Sequence, residues 1–153
     1  MANYSVSWNA TNTASATVPM GCLTWATSAK RLKVTGLIVG SDATPADNAA
    51  KYAFQRTTAR GTASTSITPQ ATDPADPAAL ATFDTAWSAN PTLTANAFVL
   101  QLAGNQRATL RWFATYPGKE LIIPTTAGNG LALMSLVVGG SAINTVFHLE
   151  YEE

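Results

Sequence analysis

The stretch WFATYPGKELIIPTTAGNGLALMSLVV, residues 112–138, decides the fold. It holds a strand end, a Pro117-Gly118 turn, a short apolar run stopped by Pro124, a Gly128-Asn129-Gly130 turn and a long apolar run at residues 131–138. Proline cannot donate to a ladder and suits a strand end or edge, while Gly and Asn supply the turns. So much punctuation in so short a span leaves no room for a helix. The stretch predicts short antiparallel strands, and the rest of the chain reads as elements that pair with them.

Immediately before it, Phe98, Leu100 and Leu102 share a face, Gly104-Asn105 is a hairpin-turn signal, and Leu110, Trp112 and Ala114 alternate with Thr109, Arg111 and Thr115. A hairpin is predicted there. After it, Phe147, Leu149 and Tyr151 alternate with His148, Glu150 and Glu152, predicting a last strand that ends in a solvated acidic tail including Glu153. Towards the N-terminus, Tyr4, Val6 and Trp8 form one face of a strand, and residues 20–26 a second short one. Between them, residues 9–19 read as an extended Thr/Ala-rich arm able to pair at a sheet edge or reach a neighbour. Residues 31–39 put Leu32, Val34 and Ile38 inward, with Arg31, Lys33 and Thr35 outward. Residues 41–48 form a loop, 50–58 a strand carrying Tyr52, Phe54 and Arg56 on one face, and 64–68 a return strand.

Residues 69–91 break the pattern with four prolines and read as a long crossover. Asp76 with Pro77 is a helix-start signal, and Leu80, Phe83 and Trp87 fall three and four apart, so a short helix is predicted inside the crossover. The expected fold is therefore all-β: a jelly-roll or related Greek-key β-sandwich of about eight to ten strands, in one domain spanning residues 1–153. An immunoglobulin-like sandwich is the runner-up, without its Cys–Trp–Cys signature.

Several predicted strands carry apolar residues on both faces, namely Leu37 and Val39, Ala97 and Val99, and Met134, Leu136 and Val138. A sandwich strand has one inward face, so a second apolar face needs the crossover, a neighbouring domain or another subunit to cover it, and the crossover can cover one patch. These seven residues are the candidate subunit or partner interface, and a homo-oligomer is the expectation.

Charged residues make up only 12% of the 153, and Lys+Arg equals Asp+Glu at nine each. That is about half the usual ~25% charged. A surface of hydroxyls and methyls desolvates at lower cost than one of ions, which suits a protein living in an assembly. Nucleic acid as a partner would call for clustered cations, and the longest basic cluster is Lys30, Arg31 and Lys33. No apolar run reaches the ~20 residues of a membrane helix, and no signal peptide is expected from MANYSVSWNA. The expectation is a chain made in a cytoplasm, with neither nucleic acid nor membrane as partner.

Single Cys22 and single His148 give neither a disulfide nor a plausible zinc site, and no G-x-S-x-G elbow accompanies His148. Asp73 and Asp76 each precede proline, where Asp starts turns. The four tryptophans, Trp8, Trp25, Trp87 and Trp112, sit in apolar segments and read as core. No catalytic residue, metal or cofactor is nominated, and a non-enzymatic protein is expected.

The run PGKELIIPTTAGNGLAL, with KYAFQRTTARGT and TPQATDPADPAALATFDTAWSANPT upstream, resembles small jelly-roll virion proteins of tailed bacteriophages, most of all head decoration (cement) proteins. The resemblance covers roughly residues 51–138 and rests on strand-and-turn patterns. It implies a homotrimer on the outer surface of a phage head, binding the major capsid protein and stabilising the lattice, with residues 9–19 as an arm towards adjacent subunits. The alternative is a fibre, tail or neck component acting as a receptor- or carbohydrate-binding module.

Overall fold

The computed structural model describes residues 1–26, 30–42 and 44–153; Ala43, within the loop predicted at residues 41–48, lies outside them. The described chain is all-β. Its strands are β1 (Asn3–Thr11), β2 (Gly21–Thr24), β3 (Leu32–Ser41), β4 (Ala49–Ala59), β5 (Thr62–Ile67), β6 (Gln70–Ala71), β7 (Thr82–Ala89), β8 (Thr92–Asn105), β9 (Leu110–Phe113), β10 (Leu121–Ile123), β11 (Gly130–Val138) and β12 (Asn144–Glu152). They form two antiparallel sheets. Sheet A runs β10-β3-β12-β1-β6, with β9 also on the free side of β3; sheet B runs β5-β7-β2-β11-β4-β8.

The core lies between the sheets, because each sheet turns its period-two apolar face inward. Tyr4, Val6 and Trp8 of β1 and Phe147, Leu149 and Tyr151 of β12 meet Tyr52 and Phe54 of β4, Leu131 and Leu133 of β11 and Phe83 of β7. Trp8 stacks on Phe147 at 4.9 Å and tilts against Phe83 at 4.4 Å, and Tyr52 meets Phe147 edge-on at 5.8 Å. Such pairs add about 0.5–1.5 kcal/mol each beyond area burial. The Trp8 indole also donates to the Met20 carbonyl at 2.9 Å, satisfying its buried N–H.

The helix predicted in the crossover is not formed. Thr82–Ala89 is the strand β7, paired with β2 on one side and β5 on the other. Two features override the helical spacing. The Leu80 and Ala81 amides donate to the Glu153 carboxylate instead of to carbonyls of a helical turn. From Thr82 the backbone joins the ladder, with Thr82 to Asp84 on β2 and Phe83 to Ala89 along β5, which suits the β-prone Thr82, Phe83, Thr85 and Trp87. The same bonds correct the solvated tail: Glu153 is buried.

The hairpin predicted around Gly104-Asn105 also differs. Both strands exist, but β8 pairs with β4 in sheet B and β9 with β3 in sheet A, so the connection crosses between sheets. The segment read as an arm, residues 9–19, is tied to its own chain at several points. Asn9, Ala10 and Thr11 finish β1. Beyond them, the amides of Asn12, Ser15 and Met20 donate to the carbonyls of Ile143, Ser135 and Leu133 at 2.7–2.8 Å. Buried Asn12 also donates to the Tyr52 hydroxyl and accepts from Ser135 Oγ.

Candidate functional site

The seven residues expected at an interface divide according to strand irregularities. On β3, Glu150 pairs with Gly36 and Tyr151 with Val34, leaving Thr35 as an extra residue in a β-bulge. The bulge reverses the phase of alternation, so Leu37 and Val39 point into the core, 1% and 2% exposed, and Ile38 points out. Their assignment to an outward face is thus corrected.

The second face of β11 is covered by the chain itself. Met134 and Ala132 of β11 and Cys22 of β2 are fully buried outside the main core, under Trp87, Leu93 and Leu136. The cover forms because β4 turns into β5 through Arg60-Gly61 while β7 turns into β8 through Asn90-Pro91. Gly61 has φ +76°, and a Cβ there would lie 2.3 Å from the Ala89 carbonyl oxygen, so only glycine lets the two turns touch. Leu136 is the extra residue of a bulge on β11, and Val138 pairs with Ala50; both are half-buried. On β8, residues 93–98 face only residues 55–57 of β4, and the surplus arches outward around Asn96 at φ 56°. Ala97 belongs to this arch, while Val99 packs against the main core. The two-faced pattern of β3 and β11 therefore has an intrachain explanation.

A polar cluster sits on the second core. Asp84 is fully buried and takes two hydrogen bonds from Arg60, Nε to Oδ2 at 2.6 Å and Nη2 to Oδ1 at 2.7 Å, plus one from Ser66 Oγ at 2.6 Å. These bonds hold the Arg60 guanidinium above its ordinary pKa. Nearby Cys22 lies 3.5 Å from Thr24 Oγ1, and burial pushes its thiol up to about 11. A buried protonated thiol is a poor nucleophile. Among the described residues, no three His, Cys, Asp or Glu side chains converge as a metal site would need.

The outer face of sheet A carries the most organised exposed chemistry. Strand register lays it out in rows. One row runs Ser7, His148, Ile38, Arg111; the next runs Ser5, Glu150, Gly36, Phe113. Ser7 Oγ lies 2.7 Å from His148 Nδ1, and His148 Nε2 lies 3.3 Å from Glu150 Oε1. An ionised carboxylate only accepts, so with a neutral ring Nε2–H donates to Glu150 and Nδ1 accepts from the serine hydroxyl. Glu150 and the Phe113 ring converge over Gly36. A Cβ on Gly36 would lie 2.7 Å from ring atoms Cδ1 and Cε1 and 3.1 Å from Glu150 Oε2. The missing side chain lets the ring lie over the strand, and Phe113 remains 43% exposed.

His148 and Glu150 were legible as the polar face of the last strand. Phe113 was not singled out, because its importance comes from the cross-strand row that places it over Gly36. No family model matches this chain, and no curated protein or solved structure matches it either.

Proposed function

We propose that this chain is a jelly-roll virion protein, a trimeric decoration or cement protein that binds the outer surface of a phage head and stabilises the capsid lattice. The observation that carries the fold reading is strand order. In a jelly roll of eight strands, one sheet holds the first, eighth, third and sixth side by side, and the other holds the second, seventh, fourth and fifth. Taking β5, β6 and β7 as an insertion between fourth and fifth, and β9 with β10 as a split sixth strand, gives β1-β12-β3-β9/β10 over β2-β11-β4-β8. With those strands set aside, the strand neighbours within the two sheets support this reading.

Placement on a phage head and the trimer rest on the resemblance of residues 51–138. The low charge supports assembly, since many weak contacts over hydroxyl and methyl surface add through trimer avidity. The reading is non-enzymatic, takes no cofactor, and has the major capsid protein as partner. The deciding experiment is cryo-electron microscopy of the parent particle, with density for this chain expected at threefold positions of the head lattice. Density at the tail alone overturns it. Light scattering of the purified protein tests the trimer separately, and a monomer at micromolar concentration refutes that part.

A further inference from the structure

We propose that the outer face of sheet A binds a neutral sugar ring stacked on Phe113. The proposal is independent of where on a particle the chain sits. It rests on Phe113, whose ring occupies the open space above Gly36 and stays 43% exposed, placed there by the β3–β9 pairing, and on the polar groups around it. A strand-borne ring is rigid, so its exposed face is presented without an ordering cost for the backbone.

The rim selects the occupant. Glu150 supplies an acceptor converging with the ring over Gly36. One row along, Arg111 supplies donors, and His148 links Glu150 to the Ser7 hydroxyl. Charges of both signs flank the row of the ring, Arg111 in the row on one side and the Lys33–Glu152 pair in the row on the other, so neither an anion nor a cation is favoured. A pyranose answers both parts of this surface. Its C–H groups meet the negative face of an aromatic ring, and its hydroxyls both donate and accept. The exposed ring is far smaller than the ~800 Å² each partner buries in a standard protein interface, and it matches one sugar unit.

Ligand-observed saturation-transfer NMR tests this with a panel of neutral methyl pyranosides: the glucoside, galactoside, mannoside and N-acetylglucosaminide. At least one is expected to receive transfer from the wild-type aromatic protons with millimolar affinity. Phe113→Ala is expected to weaken binding about tenfold, on the scale of one lost aromatic contact. Phe113→Trp, which keeps a stacking face over Gly36, is expected to bind at least as well as wild type, which guards against a loss caused by misfolding. Glu150→Gln should weaken binding while leaving the melting temperature in place. No transfer to any of the four glycosides, or transfer unchanged in Phe113→Ala, overturns the proposal. So does a Phe113 resonance that shifts with protein concentration and not with sugar, since the ring then packs on a second copy of the chain.

Discussion

Arg60 grips Asp84 at two points, Nε to Oδ2 and Nη2 to Oδ1, across the outer side of sheet B. The two ends of this pair are unequal. The Asp84 side chain is fully buried, while that of Arg60 is 38% exposed. Removing one end therefore has a different effect from removing the other. Arg60→Ala strands a buried carboxylate with only Ser66 as partner and is expected to cost about 3 kcal/mol. Asp84→Asn leaves an arginine that can turn to water and keeps a hydrogen-bonding side chain in place, so its cost is expected to be about half as large. Urea denaturation of both variants checks the order. An equal loss would mean that the pair matters through packing alone.

The second core also predicts an alkaline limit. Burial raises the Cys22 thiol pKa to about 11 in the folded chain, above its unfolded value. The folded state thus holds this proton more tightly. The corresponding stability is fully present below about 9 and is lost as pH rises towards about 11. The effect is on the order of 2 kcal/mol. The groups facing the thiol are Thr24, Thr57, Asp84 and Arg60, of which Asp84 raises the value and Arg60 lowers it. Tyr4, Tyr52 and Tyr151 are raised by burial too, so the wild-type melting temperature should fall on alkaline titration for more than one reason. Cys22→Ala should flatten only the part between these pH values. A thiol reagent at neutral pH should label Cys22 only as fast as the chain opens, because the residue is fully buried.

Glu153 ties the end of the chain to the crossover. Its carboxylate accepts from the Leu80 amide at 3.0 Å and the Ala81 amide at 2.9 Å, and its own amide donates to the Ala2 carbonyl at 3.1 Å. Hydrogen bonds to a charged group contribute about 1.5–3 kcal/mol each at most. Glu153→Ala is expected to cost about 2 kcal/mol and to speed hydrogen exchange at Leu80 and Ala81 well before the rest of β7. Glu152→Ala is the control. Its partner Lys33 is 3.8 Å away and both side chains are partly exposed, so a cost below about 0.5 kcal/mol is expected.

How far the fold was legible depends on how local its causes are. β1 and β12 could be read from alternation because each keeps one phase throughout, and they pair in register from Asn3 with Glu152 to Thr11 with Asn144. β3 could not be read past Thr35. A bulge is defined by the partner strand, and nothing in the residues LKVTGLIV says where the partner skips. The segment around Phe83 fits helical and strand spacing alike, and Glu153, more than seventy positions away, takes the amides that a helix would use. The apolar second face of β11 was read correctly as needing cover. Trp87, part of the predicted crossover that was one of the expected covers, lies over it with Leu93; that these two residues sit there depends on two turns meeting, which no local pattern records.

That meeting point is Gly61, and it gives the sharpest test of the covered second core. Its φ of +76° disfavours any side chain, and the Cβ of alanine would strike the carbonyl oxygen of Ala89 at 2.3 Å and the Asn90 carbonyl carbon at 2.7 Å. Both obstacles are backbone, so relief requires the β4–β5 and β7–β8 turns to separate. Gly61→Ala is expected to cost about 3 kcal/mol, the upper range for a strained backbone position. Separation should also loosen the lid over Cys22, so thiol labelling of the variant at neutral pH should accelerate by more than its loss of global stability accounts for. Labelling that tracks global unfolding alone would mean that the second core opens only with the whole sandwich, and that the two turns are not a separate closure.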